Sequence, residues 1–270
     1  MWGVVVLIIL PRDLSYDAWR RVLELYWSNP LQHCYLLYDL VYEPDKTTVW
    51  FLGVSEGYVL RWCSRRVCGV HVEGNVEKLL NAVGEAVETA PARLVWVHVP
   101  LGAGCELVTS LLDRLGYRYE RRVFLDMAVE LKDYREPPGL KPCRRLGVED
   151  LDEFMEVKRL QGRPVTREEA VEMLSRKLYY GCHHNDKLVS IAGAYARLPE
   201  VWVIGDVYTL PEYRGRGYGT SVTAAVTRIA VESGATALLH VDETNEPALR
   251  IYRKLGYKTK RRRLWLKITI

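Results

Sequence analysis

The sequence predicts an α+β fold built from two tandem copies of one unit. Three observations support this prediction: an internal repeat at an offset of 140 residues, a proline- and glycine-rich segment near the midpoint, and alternating strand and helix patterns in the second half. The chain has 270 residues, of which 49% are hydrophobic and 27% are charged. These values are ordinary for a globular protein large enough to form two domains.

The repeat is clearest where DRLGYRYERR (113–122) aligns with RKLGYKTKRR (253–262). Each segment follows a helix pattern with apolar residues at i, i+3, i+4 and i+7. Gly116 and Gly256 then stand where the C-terminal cap of a helix needs a positive φ angle. Near the start of each copy, DLSYDAWRRVLELY and DLDEFMEVKRL both predict a short amphipathic helix.

The segment DYREPPGLKP (133–142) lacks apolar periodicity and predicts a linker. We therefore expect one domain at residues 1–135 and a second at residues 136–270. The first domain opens with MWGVVVLIIL, a run too short to span a bilayer and not followed by a cleavage site of small residues. This run predicts a buried first strand in a cytoplasmic protein, and the low Asn and Gln content is typical of a thermophilic source.

The second copy has the clearer element pattern. In order, it predicts a strand at 143–147, helices at 149–160 and 166–178, strands at 178–184, 187–197 and 201–210, a helix at 217–233, a strand at 237–241, a helix at 246–255 and two final strands. A glycine-rich loop, PEYRGRGYGT (211–220), therefore joins a strand to the N-terminus of a helix.

Such a loop is typical of a phosphate site, because the backbone N–H groups of a helix N-terminus are unpaired and glycines let the anion come close. The loop does not match a Walker motif, since no lysine follows its glycines, and Thr220 stands where the dinucleotide fingerprint requires glycine. Arg214, Gly217 and Gly219 instead satisfy the pattern R/Q-x-x-G-x-G/A. The net charge of +4 also suits an anionic small ligand.

With this motif, residues 141–270 resemble a GCN5-related N-acetyltransferase (GNAT), and VWVIGDVYTLPEYRGRGYG is similar to the glycine N-acyltransferase-like, or FR47-like, branch of that superfamily. The segment DETNEPALRIYRKLGY also matches the second motif of the family, NxxAxxxYxxxGY. The resemblance implies two tandem GNAT-like domains, each with a mixed, mostly antiparallel sheet flanked by helices. Since R-x-x-G-x-G is absent from residues 1–140, the first domain is expected to be degenerate and to lack the cofactor loop.

The resemblance further implies an acyl-CoA donor, here expected to be acetyl-CoA, which a strand bulge and the glycine loop would hold. The implied cofactor-binding residues are Val207, Tyr208, Thr209, Arg214, Gly215, Arg216, Gly217, Tyr218, Gly219, Thr220, Asn245 and Ala248. Tyr252 is implied as the catalytic acid that protonates the departing thiolate, since a tyrosine hydroxyl is a donor with an ordinary pKa of about 10.

The base that deprotonates the acceptor amine stays open. The candidates are Asp206, His240, Glu243, His183 and His184. Val203 stands where histone-modifying members of the family carry a glutamate, so lysine acetylation by that route is not expected. Two functions compete: an acyl-CoA-dependent N-acyltransferase, which the intact second motif favours, and a non-catalytic CoA-binding or regulatory protein. A small amine, an amino acid and a protein N-terminus all stay open as acceptors.

Two further patterns predict structural roles. The basic run KTKRRR (258–263) predicts an exposed strand face rather than a site for RNA or for the 3′-phosphate of CoA, and the mild net charge does not predict nucleic-acid binding. The six cysteines are scattered without a CxxC pair. This spacing argues against a metal site and favours small buried apolar side chains. Whether any cysteines are paired stays open, since a thermophilic source makes cytosolic disulfides possible.

Overall fold

The computed structural model describes residues 6–9, 13–53 and 56–270. The chain divides into two compact units, the first formed by residues 1–125 and 261–270 and the second by residues 126–260. This division differs from the boundary expected after residue 135. Residues 261–270 belong to the first unit because the strand that they form pairs with a strand of that unit. Local sequence patterns do not show such pairing between distant segments.

The described helices and strands alternate along the chain. They are β1 (Val6–Ile9), α1 (Tyr16–Ser28), α2 (Pro30–Tyr42), β2 (Thr47–Leu52), β3 (Gly57–Cys63), β4 (Val67–Gly74), α3 (Val76–Glu88), β5 (Leu94–Pro100), α4 (Gly104–Arg114), β6 (Tyr119–Val129), β7 (Cys143–Arg145), α5 (Leu151–Leu160), α6 (Arg167–Arg176), β8 (Leu178–His184), β9 (Lys187–Arg197), β10 (Val201–Thr209), α7 (Tyr218–Glu232), β11 (Thr236–Asp242), α8 (Glu246–Lys254) and β12 (Lys258–Thr269).

The first unit contains a mixed sheet covered on both faces. β1 to β4 pair antiparallel in sequence order, β4 and β5 are parallel, and β12 pairs antiparallel with β5. Alternate side chains of β2 enter two separate cores, as the period of a strand requires. Trp50 and Leu52 pack with α3 and α4, whereas Val49 and Phe51 pack with α1 and α2.

The second unit contains a sheet of the same type. β7 to β10 pair antiparallel in sequence order, and β10 and β11 are parallel. β6 is the next strand beyond β11, and its residues from Asp126 onward belong to this unit.

Helices cover both faces of this second sheet. On β8, the ring of Tyr179 lies 4.9 Å from the ring of Phe154 in α5, between centroids. Cys182 points to the opposite face, where its Sγ lies 3.8 Å from the carbonyl oxygen of Tyr218 in α7. We call these two sides the α5 face and the α7 face.

Most sequence-based predictions of the elements agree with the structure. From residue 143 to residue 254, every predicted boundary lies within two residues of the observed one. Gly116 and Gly256 have φ angles of 78° and 94°, so both predicted helix caps are confirmed. The prediction of two final strands was wrong, because residues 258–269 form one strand and contain no turn-forming residue. The first strand is present at Val6–Ile9. The prediction that it is buried concerns side chains that the structure does not describe.

The predicted exposed face of the basic run is correct for Lys258, Lys260 and Arg262 but not for the last residue of the run. Lys258 and Lys260 are exposed, but Arg263 is buried and its Nη1 lies 2.8 Å from a carboxylate oxygen of Glu73. Both residues of this ion pair belong to the first unit. Because β12 pairs with β5 in the interior of that sheet, the alternating side chains of its second half are buried.

The expected burial holds for Cys34, Cys68, Cys105 and Cys182, and the pairing that the sequence left open is present in two disulfides. Disulfides join Cys63 to Cys68 and Cys143 to Cys182, in each case between neighbouring antiparallel strands. Cys34 and Cys105 are buried, as expected. The strand register places the paired residues opposite one another, which their spacing in the sequence does not show.

Among the described residues, no helix combines the length and the apolar character needed to cross a bilayer.

Candidate functional site

The two parallel strands of the second unit separate partway along their length. β10 and β11 pair from Val201 opposite Thr236 to Ile204 opposite Leu239. Beyond this point β10 continues to pair with β9 as far as Thr209, on its other edge. From Gly205 onward, the edge of β10 that faces away from β9 therefore offers backbone groups that β11 does not use.

A bulge lies at the start of this free edge. Between Gly205 and Tyr208, β10 contains one residue more than β9. Within this bulge Asp206 has a φ of 57°, a left-handed conformation that costs a non-glycine residue roughly 1–2 kcal/mol. Such strain persists where surrounding contacts hold the residue, and it is common at functional sites.

The contacts that hold the bulge converge on the carboxylate of Asp206. Lys158 Nζ donates to both oxygens at 2.8 and 2.7 Å, Gln161 Nε2 donates at 3.0 Å, and the hydroxyl of Tyr179 donates at 3.0 Å. Lys158 is buried on α5, and Gln161 follows the last turn of that helix. The bulge is therefore fixed from the α5 face by a buried ion pair with two supporting hydrogen bonds.

This ion pair removes Asp206 from the candidate bases. Burial acts to raise the pKa of its carboxyl, but the ammonium of Lys158 and the hydrogen bonds outweigh burial and hold the pKa below its ordinary value. A carboxylate with a lowered pKa that already accepts several hydrogen bonds is a poor proton acceptor.

The glycine loop follows β10 and leaves the N-terminus of α7 open. Gly215 and Gly217 have φ angles of 73° and 89°, and a Cβ at either position would meet no atom within 4 Å. No described side chain caps α7, whereas Thr166 caps α6 and Asn245 caps α8. An uncapped helix N-terminus beside this open space is suited to hold an anion with its first backbone N–H groups.

Three elements of the site meet at Gly219. A Cβ on this residue would lie 3.2 Å from Thr209 Oγ1 in β10 and 3.4 Å from Ile251 Cδ1 in α8. The absence of a side chain thus lets the first turn of α7 approach both neighbours closely. The end of β10, the start of α7 and the middle of α8 form one contiguous surface.

Several side chains of the predicted cofactor-binding segment have structural partners. Arg214 Nε donates to the carbonyl oxygen of Thr209 at 3.1 Å, and the hydroxyl of Tyr208 donates to the carbonyl oxygen of Leu160 at 2.9 Å. Tyr218 is buried and its hydroxyl lies 2.8 Å from Nδ1 of His184. These three side chains are therefore engaged within the protein, whereas the backbone of the glycine loop stays able to contact a ligand.

The second motif has a structural role as well. Asn245 Oδ1 accepts a hydrogen bond from the backbone N–H of Ala248 at 3.3 Å and so caps α8. These two predicted cofactor-binding residues therefore bind each other. Asparagine is a preferred cap residue, which explains its place at the start of this motif without a ligand.

Tyr252 lies on the α7 face. Its ring centroid is 5.8 Å from that of Tyr257, whose hydroxyl lies 2.9 Å from Thr227 Oγ1 in α7. Burial raises the pKa of Tyr252 to about 12, and no described side chain offsets this effect. The hydroxyl therefore stays protonated throughout the neutral pH range and is available as a hydrogen-bond donor.

The other candidate bases have different surroundings. His183 Nε2 lies 3.6 Å from a carboxylate oxygen of Glu153 and 3.4 Å from Nη2 of Arg144, at the far edge of the sheet. His240 Nδ1 lies 2.6 Å from Oδ1 of Asp126, with both side chains nearly buried. Glu243 is half-buried after the end of β11.

Two partners of these groups were missed by the sequence reasoning. Lys158 follows Phe154 by four residues, so the sequence places it on the apolar face of α5, which indicates a buried charge. Asp126 interrupts the apolar run of β6, which marks a charged residue in a buried strand. Neither signal identifies the partner, which lies 48 residues from Lys158 and 114 residues from Asp126.

The first unit has no comparable loop at the corresponding position. β4 ends at Gly74 and α3 begins at Val76, so Asn75 alone joins them. The side chain of Asn75 accepts a hydrogen bond from the backbone N–H of Lys78 at 3.3 Å and caps α3. The helix terminus that would bind an anion is therefore already occupied.

Aromatic rings fill the point where β4 and β5 stop pairing. This pairing ends with His71 opposite His98. The ring of His98 stacks on Trp265 at 3.8 Å between centroids, and the ring of His71 stacks on Tyr35 at 4.5 Å. These contacts support the prediction that the first domain is degenerate.

A parallel strand pair that separates beside a bulge, an open glycine loop and a mixed sheet between helices together define the GNAT fold, here in a tandem arrangement. A GCN5-related N-acetyltransferase from Sphaerobacter thermophilus has a TM-score of 0.67 at 18% identity, covering 99% of this chain and 96% of that chain. A tandem GNAT protein from the clavulanic acid biosynthesis pathway has a TM-score of 0.63 at 12% identity, covering 98% of both chains. A Drosophila protein has a TM-score of 0.73 at 16% identity, covering 98% and 99%.

Sequence comparisons match parts of the chain. Residues 179–266 match the FR47-like protein family. Mycothiol acetyltransferase from Streptomyces griseus is 39% identical over 67 residues, which are 24% of this chain and 21% of that protein. Thialysine N-epsilon-acetyltransferase from Mus musculus is 31% identical over 70 residues, 24% of this chain and 41% of that protein. The similarity thus spans between a fifth and two fifths of these curated relatives.

Proposed function

We propose that this protein is an acyl-CoA-dependent N-acyltransferase that uses acetyl-CoA as donor and an amine as acceptor. The observation that carries the proposal is the uncapped N-terminus of α7, opened by Gly215 and Gly217 at the end of a strand whose outer edge is free. The names of the curated relatives, which are acetyltransferases, support an acetyl donor.

The geometry suggests how the donor would lie. Its pyrophosphate would bind the backbone N–H groups of residues 215–220, which have the charge and the space for an anion. Its pantetheine arm would pair with the free edge of β10 at Val207, Tyr208 and Thr209. The thioester would then reach the bulge, which the ion pair of Asp206 fixes.

The reaction needs support at two atoms of the thioester. The acceptor nitrogen attacks the carbonyl carbon, the carbon–sulfur bond breaks, and CoA leaves as a thiolate. Backbone N–H groups of the bulge would stabilise the oxyanion that forms on the carbonyl oxygen. The hydroxyl of Tyr252 would face the sulfur from the α7 side.

The role of Tyr252 follows from two pKa values. A free thiol has a pKa of about 8.5, which is well below the value of about 12 for Tyr252. Full proton transfer to the thiolate would therefore be uphill by roughly 5 kcal/mol before any stabilisation by the site. We infer that Tyr252 chiefly donates a hydrogen bond to the developing thiolate, which later takes its proton from solvent.

Two measurements test the proposal in sequence. Calorimetric titration with acetyl-CoA tests binding, and a screen of amine acceptors with detection of free CoA thiol tests transfer. Release of CoA that depends on an added amine supports the enzyme. Tight binding of acetyl-CoA with no transfer to any small amine, amino acid or peptide N-terminus would favour a CoA-binding regulatory protein instead.

A further inference from the structure

The second unit contains a buried pair of titratable side chains that has no role in the reaction as proposed above. Nδ1 of His240 in β11 lies 2.6 Å from Oδ1 of Asp126 in β6. The side chain of Asp126 is 2% exposed and that of His240 is 8% exposed. At this distance Nδ1–H donates to the carboxylate, so a proton that the neutral ring takes up goes to Nε2.

His240 lies where the two parallel strands separate. Leu239, opposite Ile204, is the last residue of β11 that pairs with β10. His240 is the next residue of β11, as Gly205 is the next residue of β10. His240 therefore lies in β11 at the start of the gap between the two strands, across from the bulge where we place the thioester.

His240 faces the side of the sheet opposite to Tyr252. Gly205 pairs with Gly193, and a Cβ on Gly193 would lie 2.6 Å from the ring of Tyr179, which marks the α5 face. Gly205 and His240 each come directly after the last parallel pair, Ile204 and Leu239, so they lie on the same face of the sheet. His240 therefore also faces α5. An amine that approaches from the α5 face would attack the carbonyl carbon of the thioester. The CoA thiolate would then leave on the opposite side, towards the α7 face.

We propose that His240 is the general base that accepts the proton of the attacking amine and that Asp126 is its positioning residue. This assignment rests on the proposed acyltransferase function. As the nitrogen–carbon bond forms, Nε2 takes the proton from nitrogen, and the carboxylate of Asp126 stabilises the resulting imidazolium. The electron pair of the broken carbon–sulfur bond stays on the CoA sulfur.

Three of the other candidates, Asp206, His183 and His184, fit this role less well. Asp206 is held in the ion pair with Lys158, and His183 lies at the far edge beside Arg144. His184 bonds to the hydroxyl of Tyr218. His240 combines a carboxylate partner with a position next to the bulge.

The test begins with a reactive donor, bromoacetyl-CoA, whose α-carbon would lie where the acetyl methyl group lies. Attack by Nε2 on this carbon releases bromide and leaves a stable adduct, which peptide mass spectrometry locates. We expect the adduct on His240, suppression of labelling by acetyl-CoA, and no adduct in His240→Gln. An adduct on another residue, in protein that binds acetyl-CoA normally, would overturn the assignment.

A kinetic test follows, with hydroxylamine as the acceptor. His240→Gln is expected to slow release of CoA by ~10²–10⁴-fold with unchanged affinity for acetyl-CoA, and imidazole in solution should restore part of the rate to His240→Ala. Asp126→Asn should slow release at least tenfold, and Asp126→Glu should recover part of the loss. His98→Gln, a change at a buried histidine of β5 in the first unit, is the matched control and should leave the rate unchanged.

The outcomes separate the two proposals. If His240→Gln releases CoA at the rate of the unaltered protein, the base assignment fails while the acyltransferase stands. If the unaltered protein does not bind acetyl-CoA in the calorimeter, the proposed function fails at its first step. If the His240 and Asp126 variants lose affinity for acetyl-CoA together with the rate of CoA release, the pair is structural and the base assignment is wrong.

Discussion

Replacing Gly217 by glutamate should abolish binding of acetyl-CoA while the protein stays folded. Gly217 has a φ of 89°, and a Cβ there would meet no atom within 4 Å, so the new side chain has room. The left-handed conformation would cost roughly 1–2 kcal/mol for a non-glycine residue. A carboxylate at a helix N-terminus recovers about 0.3–1 kcal/mol through the helix dipole. The net loss in the free energy of unfolding should therefore be under about 2 kcal/mol.

The effect on the ligand should be much larger. A carboxylate about 4 Å from a phosphate charge repels it by about 1 kcal/mol in water and about 4 kcal/mol at the effective dielectric constant of a protein surface. A pyrophosphate carries more than one charge, and the side chain also occupies its space. We therefore expect the Kd for acetyl-CoA to rise at least ~100-fold, which corresponds to about 2.7 kcal/mol.

Gly234 supplies a matched control on the same helix. It has a φ of 90°, is exposed, and a Cβ there would also meet no atom within 4 Å, but it follows the C-terminus of α7. Gly234→Glu should therefore carry the same backbone strain without affecting the ligand. Calorimetric titration and thermal unfolding of both variants give the comparison. Normal binding by folded Gly217→Glu, or equal losses in both variants, would refute the glycine loop as the cofactor site.

Four further predictions concern the stoichiometry of binding and the side chains of the second unit. One chain should bind one acetyl-CoA, and a calorimetric stoichiometry of two would contradict the degenerate first domain. Tyr252→Phe should lower the rate of CoA release by ~10-fold or more with little change in Kd, because a hydrogen bond to a charged sulfur is lost while the ring is kept; an unchanged rate would exclude the role at sulfur. Lys158→Met leaves the Asp206 carboxylate buried without its cation and should reduce the free energy of unfolding by about 3–5 kcal/mol. Since the folded pKa of Asp206 is lowered, its stabilisation is present above about pH 4 and is lost as the pH falls through that lowered value; urea titrations below pH 5 should show a shallower loss of stability in Asp206→Asn than in the unaltered protein.

The local elements were predictable because their signals are local. Apolar periodicity, the Thr166 cap and the positive-φ glycines each lie within one helix or turn, so their boundaries in the second half were predicted closely. The glycine loop was predictable for the same reason, since its motif and its position between a strand and a helix are read within ten residues.

The contacts that organise the site were not predictable in this way. Asp206 meets Lys158 across 48 residues, and His240 meets Asp126 across 114 residues. Strand pairing brings these groups together, and the sequence contains no short-range pattern for it. The same applies to the disulfide between Cys143 and Cys182, which are opposite each other only after β7 pairs with β8.

The membership of β12 has a consequence for biosynthesis. Its residues 261–269 are translated after the whole of the second unit, yet they belong to the first unit and pair there with β5. Domains of a growing chain generally fold in the order in which they are made. Here residues 126–260 are complete while the first unit still lacks a strand, so the second unit can finish folding first. Until β12 is synthesised, β5 presents an open edge, and a chain that stops before β12 would expose that edge to pairing with other chains.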